Sequence, residues 1–155
     1  MAIWEQFVFT RTASVKTLQK VEKEMWDKQP SGFPNTIRWN AGHIFATVES
    51  MLQKADSSYE STAPSYVTFF APGTKPSEWT ETAPSSEEII HQLQTQIERI
   101  KQHFDGRLDE KIAQPISIGP LTIKTIHDIL SFSIFHEGLH LGIISSHIKI
   151  ATIDK

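Results

Sequence analysis

Apolar positions recur at helical spacing in four stretches of the chain. In residues 2–27, Trp4, Val8, Val15, Leu18 and Met25, with Phe7 and Val21 beside them, form one stripe, the signature of an amphipathic helix. Arg11 and Glu22 interrupt it; as charged residues at the stripe's edge they are expected in solvent. Gln29-Pro30-Ser31-Gly32-Phe33-Pro34 breaks the pattern. A second helix follows from a cap at Asn35 or Thr36, with Ile37, Trp39, Ile44, Val48, Met51 and Leu52 apolar up to about Ala55. Ser85-Ser86-Glu87-Glu88 reads as a capping box for a third helix. In it Ile90, Leu93, Ile97, Ile100 and Phe104 alternate steps of three and four, the narrow seam of a bundle, and Asp105-Gly106 ends it. The fourth stretch is an apolar run from Leu121 to about Ile150 without proline, too long for a strand. Thr122 is its expected cap.

The connections between these stretches differ in kind. Residues 56–84 are rich in Ser, Thr and Pro but also carry Tyr59, Tyr66, Phe69, Phe70 and Trp79. So many aromatics predict a long loop packed on the body, the kind that commonly covers a site. Residues 107–121 form a further connection, with Ile116-Ser117-Ile118 briefly extended before Gly119-Pro120. With no credible sheet and no repeats, the expected fold class is all-α: a four-helix bundle in a single domain over 1–155. Its long crossover between the second and third helices predicts that these two run parallel.

Candidate chemistry sits in the fourth helix, at Phe135-His136-Glu137-Gly138-Leu139-His140. Residues four apart stand on one helix face, so His136 and His140 can share one ligand, the geometry two imidazoles need to hold a first-row metal. The letters coincide with the His-Glu-x-x-His zinc-protease motif, but that motif needs a further ligand downstream and only His147 follows. His147 is about 10 Å along the axis, too far for the same ion. The third ligand has to come from elsewhere, and His43, one turn after Trp39, is the candidate. His91 and His103 lie off the third helix's seam and are expected in solvent; His127 faces elsewhere on the fourth. Gly138, costly in mid-helix, predicts either the close approach of another group or tight helix packing.

Composition narrows the function classes. The 155 residues carry a net charge of −3, which recommends neither nucleic acid nor an anionic membrane as partner. No stretch reads as a signal peptide or a membrane span, which makes the cytoplasm the expected location. The chain has no cysteine, excluding disulfides, thiolate ligands and a cysteine nucleophile of its own. Its seven histidines are what it offers for metal or acid–base work.

The segment Trp39-Asn40-Ala41-Gly42-His43-Ile44, the long loop after it and His136-x-x-x-His140-x-Gly142 together resemble the DinB superfamily, bacterial four-helix-bundle proteins, over nearly the whole chain. The resemblance implies that His43, His136 and His140 bind a divalent metal ion, commonly zinc or nickel. It also implies candidate chemistry, since the family includes thiol-dependent transferases that use bacillithiol and a mycothiol-dependent isomerase. Ile143 stands where many members carry a glutamine. Members often dimerise, and Ile126, Leu130, Phe132, Phe135 and Leu139 put apolar surface on more than one side of the fourth helix, so a two-fold homodimer is expected.

Three functions follow from this reading. One is a metal-dependent transferase joining a low-molecular-weight thiol to a small electrophile, the metal favouring the thiolate. Another is a metal-dependent hydrolase, for which no general base is well placed: Glu137 is about 100° around the helix from His136, and Glu49 lies away from His43. The third is a non-enzymatic bundle whose metal is structural or incidental.

Overall fold

The computed structural model describes residues 2–153. The described residues are mainly helical, with five α-helices and one small antiparallel sheet among them: α1 (Ile3–Leu18), α2 (Ile37–Ala55), α3 (Tyr66–Phe70), α4 (Ser86–Phe104), β1 (Lys111–Ile118), β2 (Leu121–Thr125) and α5 (Ile126–Ile153). No helix among the described residues is long and apolar enough to cross a membrane.

The caps explain most of the boundaries. Thr36 Oγ1 accepts from the Trp39 backbone at 3.1 Å and starts α2. Ser85 and Glu88 form the reciprocal capping box that starts α4. Gly106, at φ +77°, turns the chain after α4 in a conformation that costs other residues strain. The first helix is shorter than its apolar stripe suggests. It stops at Leu18, and Met25 belongs to a separate 3₁₀ turn at Lys23–Met25.

The sheet corrects the all-α expectation. Ile118 pairs with Leu121, Ser117 with Thr122 and Ile116 with Ile123, around Gly119 (φ +55°) and Pro120, a two-residue hairpin with glycine first. The register is irregular between Lys111 and Ile116, where Pro115 has no N–H to give to the ladder. Leu121–Thr125 therefore belongs to a strand, and Thr122 is no helix cap. Thr125 takes that part: its Oγ1 accepts from the Asp128 backbone at 3.1 Å, while the Asp128 carboxylate accepts from the backbones of Lys124 and Thr125.

Contacts between the long helices give their directions. Phe45 meets Gln96, Glu49 meets Arg99 and Asp56 meets His103, so α2 and α4 advance together. Asn40 meets His140 and His43 meets His136, so α2 and α5 run opposite. The long 56–84 connection is packed as expected: Tyr59, Tyr66, Phe69 and Phe70 are buried in it.

Two apolar clusters fill the interior. One gathers Leu18, Trp26, Phe45, Phe70, Leu93 and Ile144; the other gathers Phe7, Leu52, Ile100, Phe104, Ile129 and Leu130. On each long helix a polar residue stands between them: Arg11 on α1, Glu49 on α2, Gln96 on α4 and Glu137 on α5, all buried. Arg11 is thus not a solvated edge residue. Phe7, Arg11, Ser14, Val15 and Leu18 are the inward face of α1, while Val8 is 48% exposed. The Arg11 guanidinium grips Glu137 through Nε at 2.8 Å and Nη2 at 3.0 Å, and reaches the Leu93 carbonyl and Gln96 Oε1. Gln96 passes the network to Glu49, which also accepts from Tyr59 and Arg99.

Candidate metal centre

His43, on the second turn of α2, and His136 and His140, one turn apart on α5, bring one ring nitrogen each to a common point. The three candidate ligand atoms lie within 4.8 Å of one another. His43 Nε2 and His136 Nε2 are 3.1 Å apart, close to the about 3.4 Å that two nitrogens on one tetrahedral zinc keep at metal distances of about 2.0–2.1 Å.

Two of the rings are held in the tautomer a metal needs. His43 Nδ1 lies 2.6 Å from the Phe70 carbonyl; a carbonyl can only accept, so Nδ1 carries the hydrogen and Nε2 presents its lone pair to the cluster. His140 Nδ1 donates to Asn40 Oδ1 at 2.7 Å, and Asn40 Nδ2 donates to the Thr36 carbonyl, which fixes the amide's orientation. This outer layer is the arrangement that orients ligating histidines in metal sites. The Trp39 ring stacks on His43 at 4.4 Å, limiting its tilt.

Electrostatics keep the cluster neutral. Burial pulls the His136 pKa down to about 4 and His140 to about 3, with the neighbouring imidazoles adding to both shifts. Burial also lowers His43, partly opposed by its bond to the Phe70 carbonyl. Near neutral pH all three therefore carry free lone pairs, and the donor set fits a borderline divalent ion with a position left open.

The loop over the site is seated by Gly42. A Cβ there would stand well inside van der Waals contact with the Phe70 ring; glycine lets that ring lie on α2 and put the Phe70 carbonyl at His43. Trp39 Nε1 donates to Thr74 Oγ1 at 2.9 Å and Trp79 Nε1 to the Phe69 carbonyl at 3.0 Å, tying the same loop down. Sequence reasoning weighed Gly138 instead, and neither expectation for it holds: a Cβ at Gly138 would meet nothing within 4 Å. Asn40, Gly42 and Phe70 were missed. Asn40-x-Gly42-His43 offered a local signal, a mid-helix glycine beside a candidate ligand.

The remaining histidines stand apart. His91 is exposed as expected, and His127, which faces elsewhere on the helix, is exposed too; His103, also expected in solvent, is instead half-buried, its Nε2 3.1 Å from an Asp56 carboxylate oxygen. His147 is buried away from the cluster with its ring edge on Phe33. Beside His43 and His136 opens a cavity of about 380 Å³, walled by Phe132 of α5, Ile116 and Ile118 of β1, and Pro72 of the loop.

A largely helical chain holding three converging, neutral imidazoles beside a cavity defines a protein equipped for a divalent metal. The DinB superfamily model matches residues 6–144, and the chain belongs to that superfamily. A search of curated proteins found no match.

Proposed function

We propose that His43, His136 and His140 hold a divalent ion, zinc or nickel, and that the chain is a metal-dependent transferase joining a low-molecular-weight thiol to a small electrophile. One observation carries this reading: the three imidazoles converge beside a cavity that His43 and His136 line and that no carboxylate among the described residues lines. A bound divalent ion supplies Lewis acidity, lowering the pKa of a thiol or a water at its open position. Hydrolysis also calls for a base within reach of the attacking water. Glu137 is closed by two bonds to Arg11, and Glu49 by Tyr59, Gln96 and Arg99, so neither supplies it. A thiol only has to lose its proton, which can leave to solvent through the open cavity. The sulfur then forms one C–S bond while the halide or epoxide oxygen departs with its electron pair. The lack of cysteine agrees with a nucleophile brought by the cosubstrate.

The architecture we infer is a four-helix bundle of α1, α2, α4 and α5 with the 56–84 segment as its crossover, assembled as a two-fold dimer. Phe135 and Leu139, 66% and 52% exposed on α5, favour such a contact. A light-scattering mass near that of one 17.6 kDa chain would refute the dimer.

The catalytic test is conjugation of a haloarene or epoxide. It should require both thiol and divalent metal, vanish in His140→Ala and survive in His127→Ala. Turnover of an ester without thiol would favour the hydrolase, and inertness with metal loaded would leave a binding protein.

A further inference from the structure

The cavity follows one line of α2. His43, Thr47, Ser50 and Lys54 succeed one another at steps of four, three and four, hence on one face, and all four line it. Between the first and the last the helix rises about 16 Å. The facing wall is apolar, formed by Ile116, Ile118 and Phe132, and among the described residues no aspartate or glutamate lines the space. Lys54 is exposed, and its ammonium has no hydrogen bond or ion pair with any described residue.

We propose that this cavity selects a small molecule with an apolar body and an anionic head group such as a carboxylate, the head group on the Lys54 ammonium and the other end at the histidines. The inference rests on the histidines being the reacting end. An ammonium at the rim of an apolar cavity without a counter-charge attracts an anion more strongly than one in open water, because the low-dielectric walls focus its field. The Thr47 and Ser50 hydroxyls give the α2 side a polar edge for groups near either end, while the hairpin and Phe132 bury the body. The volume, about 380 Å³, is in the range of small-ligand sites.

Calorimetric titration of the full chain with octanoate, octanesulfonate and octanol tests the proposal. The sulfonate is included because it is a poor metal ligand, so its binding reports the lysine. Both anions should bind at least about tenfold more tightly than octanol. Lys54→Gln should remove that preference, Lys54→Arg should keep it, and Ile118→Glu, which adds a negative charge to the cavity wall, should weaken both anions. Equal binding of the three probes, no binding at all, or indifference to Lys54→Gln would overturn the proposal. So would sensitivity to Lys54→Gln without sensitivity to Ile118→Glu, which would place the anion outside the cavity. Metal content measured on the same samples separates the two readings. Metal present without anion preference refutes the cavity's selectivity alone; metal absent with Lys54-dependent sulfonate binding refutes the metal site alone.

Discussion

His136 and Glu137 are neighbours in sequence and serve opposite kinds of polar site. Glu137 turns inward to Arg11, joining a network in which both charges are buried and every carboxylate oxygen has a donor. His136 turns toward His43 and the cavity, its Nε2 3.1 Å from the Nε2 of His43, whose lone pair the Phe70 carbonyl holds turned to the cluster. The first arrangement is closed, its charges cancelled by partners within the fold. The second is open: the outer nitrogens of His43 and His140 are satisfied by Phe70 and Asn40, while one nitrogen of each of the three rings converges on a common point. A buried polar cluster that completes itself stabilises a fold; one that leaves aligned acceptors is built to receive something.

The largest effect that separates the two is on stability. Glu137→Ala leaves the Arg11 guanidinium buried and unpaired, and should cost about 3–5 kcal/mol. His136→Ala should lose the metal yet keep helical content and most stability, because the two apolar clusters supply a core without it. Urea unfolding followed by circular dichroism compares the two variants directly. A larger loss for His136→Ala would reverse the assignment of roles.

Gly42→Ala comes next. The new methyl must displace the Phe70 ring, costing about 1–3 kcal/mol and withdrawing the Phe70 carbonyl from His43, so metal affinity should fall with stability. Asn40→Ala is gentler on the fold and more selective for the site. It frees His140 to flip tautomer and should weaken metal binding about 10–100-fold, measured by competition with a chromophoric chelator. Asn40→Asp, which still offers an oxygen to Nδ1, should recover most of it.

The pairing of the two α5 histidines was legible because helical spacing is a local property of the chain. Joining His43 to them takes the folded arrangement of α2 against α5; the chain order alone makes it a candidate third ligand, and the likeness to a family adds to that. Arg11 misled for a physical reason. Its position on the Phe7–Leu18 face is the spacing of a core residue, but a charge is buried only when a partner awaits it, and Glu137 lies 126 residues away. The hairpin was hidden differently: Leu121–Thr125 runs into α5 without a break in apolar character, so periodicity saw one element. Its β-branched Thr122, Ile123 and Thr125, directly after Gly119-Pro120, were the signal available.

A smaller effect distinguishes the sites by pH. The cluster's imidazoles titrate below their ordinary value of 6.5, His136 near 4 and His140 near 3. Between pH 6.5 and those values the unfolded chain binds more protons than the folded one, so metal-free stability is complete above pH 6.5 and declines as pH falls toward 4. Thermal melts of chelated protein across that window should show the decline, and His140→Asn should flatten it.

The most direct test of the open site is elemental analysis of protein purified without a histidine tag, together with single alanine variants of His43, His136 and His140. The account predicts one divalent ion per chain in the wild type and its loss in each variant, with helical content retained. Metal-free wild type that takes up no zinc or nickel on titration, or metal that persists undiminished in His43→Ala, would contradict it.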